Sequence, residues 1–380
     1  MTTRLHALRD AGTAPWLDFI ERTMLHDGEL ARRIRDDALM GMTSNPTIFE
    51  KALADGTAYD AELASLPADF SARDCFERLA TTDVQHACDA FAGVYAETNG
   101  GDGYVSLEVG PDLAHDAAGT VAEAHRLWTA VNRPNLMIKV PGTPEGAEAV
   151  QQLIADGLNV NVTLLFSLDA HARVIDAYLA GLEARVQGGK PVDRIASVAS
   201  FFVSRVDNSV DALLQTRIES ASTSDRATLE ALLGKTAIAN AKLAYQLFAG
   251  RFSGARWEAL SSHGARVQRP LWASTSTKNP AYRDVLYVEA LIGPDSVNTL
   301  PPATLEAFRD HGEVARTVDR DVEAAEAQIA ALAAHGISLD EVTSQLLADG
   351  LRSFATSFDT LLGGLTAKRS QLVQAGGTHE

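Results

Sequence analysis

Short runs of apolar and β-branched residues alternate along the chain with longer segments whose apolar residues recur at helical spacing. The short runs predict eight strands, at residues 16–20, 39–43, 104–109, 136–140, 160–166, 195–203, 271–274 and 296–300. The longer segments predict helices, for example at residues 113–131, 144–156, 168–186 and 228–248. Strands that alternate with helices indicate a parallel sheet, and eight of them favour a closed barrel. Their nearly continuous apolar character is typical of strands covered on both faces.

The spacing of the strands refines this prediction. The 280 residues from Asp18 to Asn298 make seven intervals that average 40 residues, whereas a bare barrel of about 250 residues has about 31 per unit. The residues in excess of a bare barrel lie in segments 45–108 and 200–274, and both segments contain additional helical sequence. After residue 300 the pattern is helical only, at residues 301–311, 314–334 and 339–373. We therefore expect an α/β fold, a (β/α)8 TIM barrel with inserted helices, as one domain over residues 1–380. Its barrel strands occupy about 15–300, and a C-terminal helical extension occupies 301–375.

Composition narrows the classes of partner. The chain has 380 residues, 46% of them hydrophobic, and a formal net charge of −17. Because such a charge repels nucleic acids and anionic membranes, we expect neither as a partner. The first residues lack an apolar secretory segment, and no run approaches the roughly 18 apolar residues of a membrane span. The sequence therefore predicts a cytoplasmic protein, either a monomer or a homodimer, in which Cys75 and Cys88 are buried thiols.

Two suggestive patterns do not predict sites. Gly234-Lys235-Thr236 resembles the end of a phosphate-binding P-loop, but Leu229 stands where that motif needs its first glycine. The ten histidines do not have the spacing of metal ligands. We therefore expect neither a P-loop nor a metal site.

Lys139 interrupts the fourth apolar run, Leu-Met-Ile-Lys-Val. The segment alone favours a lysine at a strand end whose ammonium reaches water. The alternative is a buried amine, since burial disfavours the charged form and leaves a lone pair that can attack a carbonyl. Such an amine forms a Schiff base, and the rest of the chain must decide between the two interpretations.

Other polar residues interrupt the predicted strands in the same way. Asp18, Glu108, Asn161 and Thr163 lie within apolar runs, where an unpaired polar group costs several kcal/mol. Residues at the carboxyl ends of barrel strands line one mouth, where barrel enzymes perform their chemistry. Schiff-base chemistry needs carboxylates to transfer protons, for which Asp18 and Glu108 are candidates. The hydroxyls of a sugar need hydrogen-bonding partners, for which the candidates are Asn45, Asn161, Thr163 and Ser200. Neither a metal nor an organic cofactor is required.

Two cations are candidates for binding phosphate. Arg205 follows the sixth predicted strand, and Lys278 follows the seventh in a loop rich in hydroxyl residues. A helix predicted at residues 282–292 comes after this loop, an arrangement that suits an anion. Either residue is equally well explained as an exposed cation.

At these residues the sequence resembles the transaldolase family, and its length resembles the longer bacterial branch. The resemblance rests on residues 42–47 (Met-Thr-Ser-Asn-Pro-Thr), 105–109 (Val-Ser-Leu-Glu-Val), 136–140 (Leu-Met-Ile-Lys-Val), 157–167 (Gly-Leu-Asn-Val-Asn-Val-Thr-Leu-Leu-Phe-Ser), 200–205 (Ser-Phe-Phe-Val-Ser-Arg) and 272–274 (Trp-Ala-Ser). It implies a (β/α)8 barrel that transfers a dihydroxyacetone unit between sugar phosphates in the non-oxidative pentose phosphate pathway. The usual substrates are sedoheptulose 7-phosphate and glyceraldehyde 3-phosphate, which give erythrose 4-phosphate and fructose 6-phosphate.

The resemblance also implies a role for each matched residue. Lys139 would form the Schiff base, Glu108 would act as acid and base through a water, and Thr163 would place that water. Asp18 would take and return the proton of the C4 hydroxyl. The remaining matches would hold the dihydroxyacetone unit (Asn45, Asn161 and Ser200) and the phosphate (Arg205 and Ser274).

The sequence departs from the better-known branch of the family beside the phosphate site. An arginine of that branch is replaced here by Ser276, and we hypothesise that Lys278 takes its place. The shorter fructose 6-phosphate aldolases carry a tyrosine near the position of Phe202, so Phe202 favours transfer over the release of free dihydroxyacetone. Such an aldolase and a barrel that only binds sugar phosphates remain the alternatives.

Overall fold

The structure is a computed structural model that describes residues 3–54 and 56–376. Eight parallel strands form a closed barrel in chain order, so each strand pairs with the next and the eighth pairs with the first. The strands are β1 (Thr13–Asp18), β2 (Gly41–Thr43), β3 (Tyr104–Glu108), β4 (Leu136–Pro141), β5 (Val160–Leu165), β6 (Ser197–Phe202), β7 (Gln268–Ala273) and β8 (Ser296–Leu300). The predicted barrel is confirmed, although β1 begins and ends before the predicted 16–20, which makes Asp18 its last residue.

Helices surround the barrel and cover one of its ends. In chain order they are α1 (Arg4–Asp10), α2 (Arg22–His26), α3 (Glu29–Asp36), α4 (Pro46–Ala54), α5 (Asp60–Ser65), α6 (Ala72–Ala90), α7 (Ala92–Glu97), a 3₁₀ helix (Pro111–Leu113), α8 (Ala117–Val131), α9 (Pro144–Asp156), α10 (Leu168–Gln187), α11 (Ser204–Ser220), α12 (Thr223–Glu230), α13 (Thr236–Arg251), α14 (Gly254–Ser261), α15 (Leu286–Glu289), α16 (Pro302–His311), α17 (Val322–Ala334) and α18 (Leu339–Gly376). The two predicted insertions therefore contain α4–α7 and α11–α14, and the predicted helical extension contains α16–α18.

Local sequence signals fix the helix between β4 and β5. Thr143 begins α9 by accepting a hydrogen bond from the Gly146 amide, and Pro144 occupies the first helical position, where no amide donor is needed. Gly157 ends the helix in the left-handed conformation, with φ of 105°. The chain then returns directly into β5, so the ends of β4 and β5 that carry the candidate residues lie at the same mouth.

Three predicted helices differ from the structure. The predicted helix 228–248 is divided, because Gly234 turns the chain with φ of 68° and Asp207 accepts a hydrogen bond from the Ala237 amide at the start of α13. The predicted helix 282–292 is wrong except for the four residues of α15. Tyr282 bonds Asp211 instead, which holds this segment as a loop. The predicted helix 314–334 begins only at Val322.

Buried polar and sulfur groups away from the mouth are accounted for by packing. Both cysteines are buried free thiols, as predicted. Trp16 donates a hydrogen bond to Asp102, which also pairs with Arg269 at 2.8 Å. Because these three side chains lie below the mouth, they stabilise the barrel wall rather than the site. No helix within the described residues is long and apolar enough to cross a membrane.

Candidate active site

An open cavity of about 940 Å³ lies at the carboxyl ends of the strands. Eight of the ten residues predicted for the site line it: Asp18, Asn45, Lys139, Thr163, Ser200, Arg205, Ser274 and Lys278. The two others, Glu108 and Asn161, contact residues of this group from behind. The barrel therefore gathers at one mouth residues that are spread over about 260 positions of the sequence.

Lys139 lies on β4 beside Glu108 of β3, its register partner. Both side chains are only 6% exposed, and Lys139 Nζ lies 3.1 Å from Glu108 Oε2. The same Nζ donates a hydrogen bond of 2.9 Å to the carbonyl oxygen of Ser44. The lysine head is therefore held inside the mouth, which overturns the alternative of a strand-end lysine that reaches out to water.

The Glu108 carboxyl lies between two environments with opposite effects. Burial raises its pKa, and the neighbouring Lys139 ammonium opposes that rise. Oε2 has no hydrogen-bond partner among the described residues, so its contact with Lys139 is an ion pair. A carboxyl whose pKa is raised holds its proton closer to neutral pH, as a group that alternates between acid and base requires.

Asp18 ends β1 on another side of the mouth. Thr43 donates a hydrogen bond of 2.8 Å to Asp18 Oδ1, and Thr299 Oγ1 lies 2.6 Å from Thr43 Oγ1. Burial raises the pKa of Asp18, and that rise is opposed by Lys139, by the Thr43 hydrogen bond and by Arg205. The carboxylate is thus oriented by one hydroxyl and lies within the electrostatic reach of two cations.

Thr163 lies where β5 departs from regular pairing. The register with β6 shifts between Val162 and Leu165, and Leu164 has a φ of 59°, a left-handed conformation that is costly for leucine. Thr163 is fully buried, and its Oγ1 has no hydrogen-bond partner among the described residues although it lines the cavity. Its hydroxyl is therefore free to bond a ligand or a water.

The predicted amides occupy two different layers. Asn161 is fully buried, donates to Ser106 Oγ at 3.0 Å and accepts from Ser200 Oγ at 2.7 Å. Ser200 lines the cavity and Asn161 lies behind it. Asn45 does line the cavity, but its side-chain oxygen accepts a hydrogen bond from the Ile48 amide at the start of α4. Its amide nitrogen remains as the donor that can face a ligand.

The cationic side of the cavity contains Arg205, Ser274 and Lys278. Arg205 lies in the first turn of α11, and its guanidinium carbon lies 5.2 Å from the centroid of the Phe202 ring. Burial lowers its pKa, but an arginine remains charged. Ser274 has a left-handed backbone with φ of 55° and lies 3.1 Å from Ser204, oxygen to oxygen. Lys278 is exposed at the rim.

Sequence reasoning missed several residues of the cavity, among them Thr43, Thr299 and Phe354. Thr43 stands inside the segment that carries the family resemblance, so its position beside Asn45 was a usable signal. Thr299 lies within an ordinary β-branched strand, and Phe354 lies within the amphipathic pattern of α18. Neither sequence context distinguishes a cavity residue from a core residue.

The donor chemistry of the described residues bears on cofactors. Within residues 3–54 and 56–376, no group of three or more His, Cys, Asp and Glu side chains could hold a metal ion. The cavity, together with Glu108 directly behind it, supplies an amine, two carboxyls, several hydroxyls and two cations. This set suits a polyhydroxylated carbonyl compound that carries phosphate.

Comparisons with known proteins agree with this chemistry. The sequence profile of the Transaldolase/Fructose-6-phosphate aldolase family matches residues 15–365. The chain is similar to a transaldolase of Trichodesmium erythraeum, with 46% identity over 98% of this chain and 99% of that protein. It is also similar to transaldolases of Frankia alni, with 47% identity over 96% of each chain, and Thermobifida fusca, with 48% identity over 95% of this chain and 97% of that protein. With matches of this length, and with the lysine, carboxyls and hydroxyls of the predicted site around one cavity, the chain belongs to the transaldolase family.

Proposed function

We propose that the chain is a transaldolase, which transfers a dihydroxyacetone unit from a ketose phosphate to an aldose phosphate. The observation that carries this proposal is the buried pair of Lys139 and Glu108, 3.1 Å apart, at a cavity that also contains Asp18 and Arg205. The amine can form an imine, and both carboxyls can transfer protons. A barrel that only binds sugar phosphates has no need for a lysine placed in this way.

The first half of the reaction forms the imine. The neutral amine of Lys139 attacks the C2 carbonyl of the ketose, and the resulting carbinolamine loses its oxygen as water when Glu108 supplies a proton. Thr163 has a free hydroxyl in the cavity, which would hold that water. The product is a protonated imine, a positive centre that can accept an electron pair.

The second half breaks and forms a carbon–carbon bond. Asp18 takes the proton of the C4 hydroxyl, the C3–C4 bond breaks, and its electron pair moves to the imine nitrogen to give an enamine. The aldose phosphate leaves, and a second aldose phosphate binds. The enamine carbon attacks the aldehyde of this acceptor while Asp18 returns its proton to the new hydroxyl. Water then regenerates the carbonyl and frees Lys139, with Glu108 as the base.

The rest of the cavity supports binding. We assign Asn45 and Ser200 to the hydroxyls of the dihydroxyacetone unit, with Asn161 holding Ser200 from behind. Arg205, Ser274 and Lys278 also line the cavity, and we assign the phosphate to them. Substrates of this description are sedoheptulose 7-phosphate and fructose 6-phosphate as donors, and glyceraldehyde 3-phosphate and erythrose 4-phosphate as acceptors. That exchange belongs to the non-oxidative pentose phosphate pathway.

Reductive trapping tests the proposal. Borohydride added with fructose 6-phosphate should convert the imine into a stable adduct on the peptide that contains Lys139. Lys139→Arg should form no adduct and lose turnover. Lys242→Arg is the matched control, because Lys242 is also buried but bonds the Arg320 carbonyl away from the cavity. Turnover retained by Lys139→Arg would exclude the mechanism.

Acceptor dependence distinguishes transfer from release. With fructose 6-phosphate alone a transaldolase should stop after one turnover, whereas with erythrose 4-phosphate it should continue and form sedoheptulose 7-phosphate. Continuous release of free dihydroxyacetone without an acceptor would instead identify a fructose 6-phosphate aldolase. Phe202, which lines the cavity in place of a tyrosine, supports transfer.

A further inference from the structure

The C-terminal helix α18 crosses the mouth of the barrel and is fixed there on both sides of Phe354. A Cβ on Gly350 would lie 2.9 Å from Leu164 Cδ2, so the helix backbone packs directly against the end of β5. One turn beyond Phe354, the Ser357 hydroxyl lies 2.8 Å from that of Thr47 on α4. These two contacts, about four residues before and three after Phe354, set the position of its ring.

The Phe354 ring forms an apolar wall beside the reactive amine. Phe354 lines the same cavity as Lys139 and is 4% exposed. Lys139 Nζ lies 5.7 Å from the centroid of the ring, within the range of a cation–π interaction. The other groups that contact this amine are polar, namely the Glu108 carboxyl and the Ser44 carbonyl.

We propose that Phe354 is a specificity-determining residue that directs the lysine-bound dihydroxyacetone unit toward the acceptor aldehyde and away from water. The inference rests on the proposed transaldolase activity. It adds to that activity a role for the C-terminal extension, which no motif of the sequence indicates.

The chemistry of the intermediate explains why a wall is needed at this point. After the first aldose phosphate leaves, the enamine has two fates. In transfer, its carbon attacks the acceptor. In release, that carbon takes a proton instead, water adds to C2 of the resulting imine, and the C–N bond breaks to give free dihydroxyacetone and the Lys139 amine. A phenyl ring offers no hydrogen bond to a water on its side of the imine, and its face favours the cationic nitrogen.

The experiment measures how the intermediate divides between the two fates. Fructose 6-phosphate is the donor and erythrose 4-phosphate the acceptor, and free dihydroxyacetone and sedoheptulose 7-phosphate are quantified in the same reaction. Phe354→Ala and Phe354→Leu are compared with the wild type. We expect the ratio of release to transfer to rise about fivefold or more in Phe354→Ala. Phe354→Leu keeps an apolar side chain of similar size and should give a smaller rise in this ratio than Phe354→Ala. A rise in the leucine variant would therefore not be explained by a fold defect.

The matched control is Phe358→Leu, one turn further along α18. Phe358 is also buried and packs on Phe76 with ring centroids 5.4 Å apart, but it does not line the cavity. Its ratio should equal that of the wild type, because a purely structural loss lowers release and transfer together. An unchanged ratio in Phe354→Ala, or an equal rise in Phe358→Leu, would overturn the assignment to Phe354. Neither result bears on the transaldolase proposal, which is tested separately by borohydride trapping on Lys139 and by the dependence of turnover on an acceptor.

Discussion

The hydroxyl of Thr43 donates a hydrogen bond of 2.8 Å to the carboxylate of Asp18. A hydroxyl has one proton, so the Thr299 hydroxyl, 2.6 Å from Thr43, must donate to Thr43 in turn. The two threonines thus form a chain that ends on the carboxylate. This arrangement favours the ionised form of Asp18, the form that can take a proton from a substrate hydroxyl.

Thr43→Val should shift the pH profile and slow turnover. Valine keeps the shape of threonine but removes the donor, so the pKa of Asp18, already raised by burial, rises further. A larger fraction of Asp18 is then protonated and inactive at a given pH. The acidic limb of kcat/KM should move to higher pH, and kcat at neutral pH should fall about tenfold.

The control for this prediction is Thr299→Val. That change removes only the second hydroxyl of the chain, so its acidic limb should move in the same direction by a smaller amount. Steady-state assays of the two variants and the wild type across the acidic pH range provide the comparison. If Thr43→Val kept the wild-type acidic limb, the hydrogen bond would have no role in setting the state of Asp18.

Glu108→Gln should slow the formation of the imine. Glutamine keeps a similar shape but cannot supply a proton to the carbinolamine, so the step that expels water loses its acid. We expect a loss of about 10²- to 10⁴-fold in the rate at which the borohydride-trapped adduct appears in a single turnover. The binding of the ketose phosphate should change less than this rate.

Glu123→Gln is a matched control for Glu108. Both carboxyls border a second, narrow pocket that lies behind the site. Glu123 accepts a hydrogen bond from the Gly110 amide and pairs with Arg73 at 3.5 Å, so it serves the structure around the site. Its variant should form the adduct at nearly the wild-type rate. Equal losses in both variants would mean that Glu108 acts through packing.

The sequence predicted the barrel and about half of the residues that line the cavity, because both follow from patterns that the chain displays locally. Apolar runs mark the strands, and Lys139 and Asp18 are conspicuous because charged residues are costly among them. Phe354 could not be found in this way, since an aromatic residue on an amphipathic helix normally packs in the core. Only the path of α18 over the mouth, fixed by tertiary contacts such as that of Gly350 with Leu164, brings it to the amine.

The errors of prediction have the same origin. Residues 282–292 have helical composition, yet Tyr282 bonds Asp211 and the Thr277 hydroxyl bonds the Arg283 carbonyl, so the segment is held as a loop. Asn161 interrupts an apolar strand as clearly as Thr163 does. The position of its side chain behind Ser200 depends on the stagger of the barrel strands, which a single sequence does not contain.

Lys278→Ala should weaken the binding of phosphorylated substrates. Lys278 is exposed at the rim of the cavity that Arg205 also lines. An exposed cation contributes modestly, so KM for fructose 6-phosphate should rise about two- to fivefold while kcat changes little. Lys278→Arg should keep KM close to that of the wild type, because the charge is retained.

Lys190→Ala is the control for the charge of a surface lysine. Lys190 is exposed in the turn before β6, at the opposite end of the barrel from the cavity. Lys190→Ala changes the net charge by the same amount as Lys278→Ala, but it should leave KM for fructose 6-phosphate unaltered at low and high salt. A wild-type KM in Lys278→Ala would remove this lysine from the phosphate site and leave Arg205 as the cation to examine next.

His171 should make the fold sensitive to acid. The ring is fully buried on α10 against Phe201, with centroids 5.7 Å apart, and neither nitrogen has a hydrogen-bond partner among the described residues. Burial lowers its pKa from 6.5 to about 4. Between these two values the unfolded chain binds a proton that the folded chain does not, so the free energy of unfolding falls as the pH falls. Full titration of this difference amounts to about 3 kcal/mol.

His171→Leu should remove that dependence. Urea unfolding at a series of pH values from neutral to about pH 4 gives the difference in stability between the variant and the wild type. As the pH falls below 6.5, the leucine variant should become increasingly more stable than the wild type. Only in the wild type does the unfolded chain take up a proton, at His171, that the folded chain does not bind. Gln268→Leu, another buried polar residue of the barrel but one that does not titrate, should differ from the wild type by an amount independent of pH. A constant difference for His171→Leu would show that the histidine takes up its proton in the folded state as readily as in the unfolded one.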